Sequence, residues 1–212
     1  MGRDGTGRDG TGRNWTRRWG PGAGTPGPGV PADAAGAYGG AQRKARQECP
    51  METPKDKTAP CLWFATEAEE AARFYVGLIP NSRIVETSYY IEGQHLPAGT
   101  VLTVEFELAG RRYTALNGGP GFTFSEAVSI QLYCEDQAEI DRYWEALTAD
   151  GGQESQCGWL KDRYGLSWQV VPRQISAFFT DSDPAAVKRA WDALMPMRKL
   201  DLAALQAAFD GR

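Results

Sequence analysis

Two stretches of this chain lie over one another. AEEAARFYVGL (68–78) and QAEIDRYWEAL (137–147) place Arg73 on Arg142, Phe74 on Tyr143, Tyr75 on Trp144 and Leu78 on Leu147, each pair 69 residues apart. A repeat of that length holds one supersecondary unit, so the chain is constrained to fold as a duplication. In the first copy APCLWF reads as a short strand, and Thr66 with Glu69 offers a T-x-x-E capping box. Ala68, Ala71, Ala72, Tyr75 and Leu78 then recur at helical spacing. SRIVETSYYI, TVLTVEFEL and RRYTALN follow as three strand-like runs, separated by EGQHLPAG and AGR. In the second copy AVSIQLYC is a strand, Asp136 and Glu139 open a helix, and Gly151-Gly152 ends it. QESQC, GWLKDRYG and LSWQVV complete it as three short pieces. Strand, helix and three strands, twice over, predict a duplicated α+β domain.

The ends of the chain are different material. Residues 1–50 open on GRDGTGRDGTGR and continue almost entirely in Gly, Pro and Ala, a composition that cannot offset the entropy of ordering it. We expect a disordered leader there, with translation beginning at Met51, where folded-protein composition starts. After Pro172, Asp183 caps, Pro184 suits a first helical position, AAVKRAWDALM follows, and LDLAALQAAF (200–209) is a last amphipathic helix. Residues 174–212 thus form a helical extension. No run of 18 apolar residues suggests a membrane span, and a net charge of −4 argues against a nucleic-acid partner. Four cysteines (Cys49, Cys61, Cys134, Cys157) are spaced as neither a zinc site nor a disulfide framework. With no export signal, they point to reduced thiols in the cytoplasm.

The blocks PCLWF, AEEAARFY, LNGGP, CEDQAEIDRYW and CGWLKDRYGLSWQVVP resemble the PhnB-like subgroup of the vicinal oxygen chelate superfamily, which holds glyoxalase-like and bleomycin-resistance-like proteins. The subgroup is often labelled 3-demethylubiquinone-9 3-methyltransferase, and the resemblance covers about residues 57–205. It implies two βαβββ modules, at 57–119 and 126–173, forming curved mixed sheets around a pocket, in a homodimer. It also implies a divalent metal held by three or four His, Glu or Gln side chains, acting as Lewis acid. The corresponding positions here fall near Ala59 or Pro60, at Ala115 or Leu116, at Ser129 and at Gln169. Alanine, leucine and proline have no ligating side chain, and His95, the chain's one histidine, falls in a turn. We therefore expect no metal and no cofactor.

Alternation places Leu62 and Phe64, Ile130 and Leu132, and Val170 on one set of strand faces. The opposite faces supply the expected pocket for a small organic molecule: Cys61, Trp63, Tyr113, Asn117, Ser129, Gln131, Tyr133 and Gln169. The alternative is a superfamily enzyme, either a metal-assisted lyase, isomerase or dioxygenase or the methyltransferase of the label. The label needs a Gly-rich turn between a first strand and a helix, and LNGGPG has no helix after it. Cys61 reads as a nucleophile or an inert thiol, and Cys157 as an activated or a turn cysteine. Lys161-Asp162-Arg163 reads as an anion clamp or a solvated hairpin. Asn117 reads as a ligand donor or the cap of the Gly118-Gly119 turn. Glu105 and Glu107 read as the solvated side of a sheet.

Overall fold

The computed structural model describes residues 57–212; the leader and the start at Met51 lie outside the described residues. The first module runs β1 (Cys61–Phe64), α1 (Ala68–Leu78), β2 (Arg83–Tyr89), β3 (Val101–Leu108) and β4 (Arg111–Asn117). The second runs β5 (Ser129–Cys134), α2 (Gln137–Thr148), β6 (Gln153–Glu154), β7 (Trp159–Lys161) and β8 (Ser167–Pro172). Each module makes a four-stranded mixed sheet of the same order, β1-β4-β3-β2 and β5-β8-β7-β6, in which the first strand pairs parallel with the last. α3 (Pro184–Leu194) and α4 (Leu202–Asp210) follow.

One apolar core serves both modules. Leu62, Phe64, Val104, Phe106 and Leu108 of the first sheet meet Ala68, Ala71, Ala72 and Tyr75 of α1, and Leu160, Trp168 and Val170 of the second sheet meet Ile140, Trp144 and Leu147 of α2. Trp168 and Tyr75 are fully buried with ring centroids 5.3 Å apart, so α1 packs on the second sheet as well as its own. A second cluster joins Val171 of β8 to Phe178, Ala190, Leu194, Leu200 and Leu205, which seats the C-terminal helices on the second module. Backbone bonds from Cys157 N to Met197 O (2.7 Å) and from Gly158 N to Arg198 O (2.8 Å) tie the connection between α3 and α4 to the same edge.

Of the three expected caps, Thr66, Asp136 and Asp183, two form, and α4 starts on a further one, Asp201. Asp136, Asp183 and Asp201 each accept from a backbone N–H in the first turn of α2, α3 and α4. The Thr66–Glu69 box does not form. α1 begins one residue later, Glu67 stands at the cap position with its carboxylate turned back to Thr66 N (2.8 Å) and no capping bond, and Glu69 turns to Arg73 at 2.7 Å. The carboxamide of Asn117 fills the place, its Oδ1 accepting from Ala68 N at 2.8 Å.

β3 and β4 are joined by Ala109-Gly110, with φ +48° and +81°. Positive φ at both central residues is the primed turn that matches the twist of a two-residue hairpin, and an L-residue with a methyl group is strained there. Ala109→Asn is expected to stabilise the chain by about 1 kcal/mol, or about 2–4 °C in Tm, in thermal unfolding. An unchanged or lowered Tm would contradict this account of the turn.

Candidate functional site

Each sheet has one face on the common core; the other face of the first sheet is open, and that of the second is open except at Val171, which the C-terminal cluster covers. In the first sheet the open face carries Cys61 and Trp63 of β1, Thr114 and Leu116 of β4, and Glu105 and Glu107 of β3, in register across the strands. Arg83 makes a two-pronged pair with Glu107 (2.9 and 3.0 Å), and Thr114 Oγ1 donates to Glu105 at 2.7 Å. Trp63 is held in plane by the LNGGP turn. Its Nε1 donates to Gly119 O at 2.8 Å, Phe122 meets it edge-on at 5.0 Å, and a Cβ on Gly118 would stand 2.2 Å from its ring. The indole explains Gly118, a φ of +83° explains Gly119, and the indole N–H is already used.

In the second sheet the open face is a polar row. Tyr133 O–H donates to Gln131 Oε1 at 2.7 Å, Gln131 Nε2 to Gln169 Oε1 at 3.3 Å, and Gln169 Nε2 to Ser129 Oγ at 2.8 Å. The parallel register sets Ser129 beside Ser167, Gln131 beside Gln169 and Tyr133 beside Val171, while Ile130 and Leu132 turn to the core. Each glutamine thereby uses its carbonyl and one amide hydrogen, keeping a second hydrogen to give.

Of the eight expected pocket residues, four are linked here: Ser129, Gln131, Tyr133 and Gln169. Cys61 and Trp63 lie on the open face of the other sheet. Tyr113 and Asn117 stand on the core faces and require correction. Tyr113 is registered opposite Phe106 and stacks on it at 5.5 Å, because the two-residue hairpin fixes which residues of β4 share a face with which of β3. Asn117 is 2 % exposed. Besides capping α1 it donates from Nδ2 to Val101 O at 3.0 Å, so neither reading of it as ligand donor or cap of the Gly118-Gly119 turn holds.

The 161–163 triplet separates into three roles, and the solvated-hairpin reading fails at its centre. Asp162 is buried and accepts from Tyr75 O–H (2.7 Å), Trp168 Nε1 (2.9 Å), Tyr164 N (2.9 Å) and Leu166 N (3.0 Å). Burial raises its carboxyl above the ordinary carboxylate value, against the pull of those donors. Lys161 pairs with Glu126 at 2.5 Å, and Arg163 pairs with Asp150 at 2.8 Å and lies over the Phe74 ring. Sequence reasoning gives no role to Ser167, Trp159 or Glu126; cross-strand register brings Ser167 beside Lys161 and Trp159 beside Gln169, and Glu126 reaches Lys161 from the loop before β5.

A divalent metal needs a donor set that the described residues do not assemble. Among the described residues no three of His, Cys, Asp or Glu are grouped to hold an ion. Ala115 turns to the core, Leu116 to the open face, and Ser129 and Gln169 bond to each other. These residues do not fit the group.

Two of the described thiols, Cys61 and Cys134, are held above the ordinary range. Partial burial first, and then the charge of Glu105, raise Cys61 above an ordinary thiol, and burial pushes Cys134 up to about 12. A raised value leaves less thiolate at a given pH, so labelling of Cys61 by a maleimide is expected to be slow at pH 7 and to climb above pH 9. Glu105→Gln should speed it about threefold at pH 8 by removing the nearby charge. Fast labelling at pH 7 that ignores Glu105 would contradict this.

The family model described as 3-demethylubiquinone-9 3-methyltransferase matches residues 56–171, more than half of the chain. Among solved structures the chain is similar to the PhnB protein of Bacillus cereus, described as a candidate 3-demethylubiquinone-9 3-methyltransferase. The two are 34% identical at a TM-score of 0.51, over 55% of this chain and 98% of that one. A Pseudomonas aeruginosa protein is 19% identical, TM-score 0.45, over 54% and 95%. A lactoylglutathione lyase of Agrobacterium tumefaciens is 15% identical, TM-score 0.27, over 55% and 92%. Comparison with curated proteins finds no match. The family match ends inside β8, so α3 and α4 lie beyond it. By its family match and its paired βαβββ modules, the chain belongs to the PhnB-like 3-demethylubiquinone-9 3-methyltransferase family of the glyoxalase-like, vicinal oxygen chelate superfamily.

Proposed function

We propose that the chain binds a small organic molecule on the open face of the second sheet, without a metal ion. The observation that carries this reading is the row Tyr133–Gln131–Gln169–Ser129. It holds two glutamine side chains in fixed positions on a sheet and leaves each with an amide hydrogen to give. Preset neutral donors suit the carbonyl or hydroxyl oxygens of an uncharged or weakly polar ligand. Cys61 and Trp63, on the open face of the first sheet, belong to the reading as the apolar contribution of a second copy of the chain.

A second copy of the chain is part of the proposal, supported by Phe122 and Val128, which are 68 % and 71 % exposed. The three described cysteines are unpaired, in keeping with a reducing, cytoplasmic setting. No described helix is long and apolar enough to cross a membrane. The methyltransferase description finds no support in the first module, where β1 passes to α1 through Ala65-Thr66-Glu67 without a glycine-rich turn.

Native mass spectrometry of the full chain, purified from its own host, is expected to give a two-chain mass carrying a co-purifying organic molecule. Gln131→Ala and Gln169→Ala should each lower the affinity for that molecule by about tenfold, near 1.4 kcal/mol. Ligand retention indifferent to both substitutions would contradict the site, and a ligand-free single-chain mass would contradict the reading as a whole.

A further inference from the structure

Beside the amide row, one buried polar atom has no partner. Ser167 is 1 % exposed, and its Oγ makes no hydrogen bond. Native proteins pair almost every buried hydroxyl, so such an atom calls for a partner, either a ligand group or a water. The register across the second sheet puts Ser129, Ser167, Lys161 and Gln153 in a single row on four adjacent strands. Ser167 therefore stands between Ser129 and Lys161 in register. With Lys161 it lines a cavity of about 140 Å³ whose walls include Trp159, Gln153, Glu154 and Glu126, with Ser129 outside it.

Three of the groups along this row are donors, and the cavity also holds two carboxylates, Glu126 and Glu154. Ser129 accepts from Gln169 and so keeps its own O–H to give; Ser167 gives its O–H; Lys161 gives N–H. Glu154 on the wall is already engaged, accepting from Trp144 Nε1 at 2.8 Å with Arg198 at 3.5 Å. The acceptor on Lys161 is the carboxylate of Glu126, whose side chain is 65% exposed and which lies on the segment before β5. The Lys161 contact lowers the Glu126 carboxyl below its ordinary value. Lys161 thus already receives a carboxylate oxygen at 2.5 Å from a residue free to swing into solvent. A phosphate dianion would ask for a second cation in this row, and none stands in it.

We infer that Ser167 and Lys161, with Ser129 beside them, form a subsite for the carboxylate of a small organic acid, which displaces Glu126 from Lys161 while its apolar body lies against Trp159. This rests on the reading of the open face as the ligand site and names the charged end of what it takes: the carboxylate on the serine–lysine row, the remaining oxygens on Gln131 and Gln169.

Sodium benzoate and its neutral isostere benzamide, added to the ¹⁵N-labelled full chain, test this. Benzoate at millimolar concentration is expected to give saturable shifts of the Trp159 indole N–H and of the Lys161 amide, with benzamide about tenfold weaker. Ser167→Ala removes only an unpaired hydroxyl and should fold normally; it and Lys161→Met should each weaken benzoate by about tenfold while leaving benzamide unchanged. Equal affinity for the two probes, no saturable shift, or benzoate binding that ignores both substitutions would overturn the subsite, leaving the Ser167 hydroxyl to water. The charged-against-neutral contrast reads the subsite alone. Failure of the broader reading shows instead as a co-purified ligand indifferent to Gln131 and Gln169.

Discussion

The carboxylate of Asp162 is the point on which the two modules depend. It is 2 % exposed, and it collects one bond from α1, through Tyr75, one from β8, through Trp168, and two from the backbone of the turn between β7 and β8. Without it four donors would be left buried and unpaired, at about 1–3 kcal/mol for each. With it, α1 of the first repeat is locked against the sheet of the second. Because Asp162 faces inward at the end of β7 and Trp168 faces inward on β8, alternation turns Lys161, Ser167 and Gln169 outward. The polar row of the second sheet is thus held in phase from the core side, and preset donors of this kind cost little ordering entropy when a ligand arrives.

Much of this architecture was legible in the residues. The 69-residue repeat, the order of elements in each copy and the faces of β1, β3 and β5 all emerge from periodicity, because burying one face of a strand leaves a period of two in the sequence. Two local rules misled. Thr66 with Glu69 has the pattern of a capping box, yet Asn117, 49 residues away, reaches Ala68 N first. No local motif can announce a cap supplied from another strand. Tyr113 was placed on the open face, although AGR is too short for anything but a two-residue hairpin, which sets Tyr113 opposite Phe106. That error was avoidable from register alone. Asp162, in a triplet of charges, gave no sign that it would be buried.

The same register explains what the site offers chemically. The positions where the superfamily would place metal ligands hold leucine and alanine on β4, serine on β5 and glutamine on β8, and the serine and glutamine satisfy each other. Neutral amides bonded in a row are poor competitors for a divalent ion against water, but they are well suited to organic oxygens. The serine–lysine row next to them adds one cation whose carboxylate partner is exposed.

The measurement that bears most directly on this account is the metal content of the full chain, by elemental analysis after incubation with Mn²⁺, Fe²⁺, Ni²⁺ and Zn²⁺ and exhaustive dialysis. A pocket built on Gln131, Gln169 and Ser129 predicts metal well below one equivalent with every ion. One tightly held ion per chain would contradict it, and would make metal-assisted chemistry the leading explanation of the site.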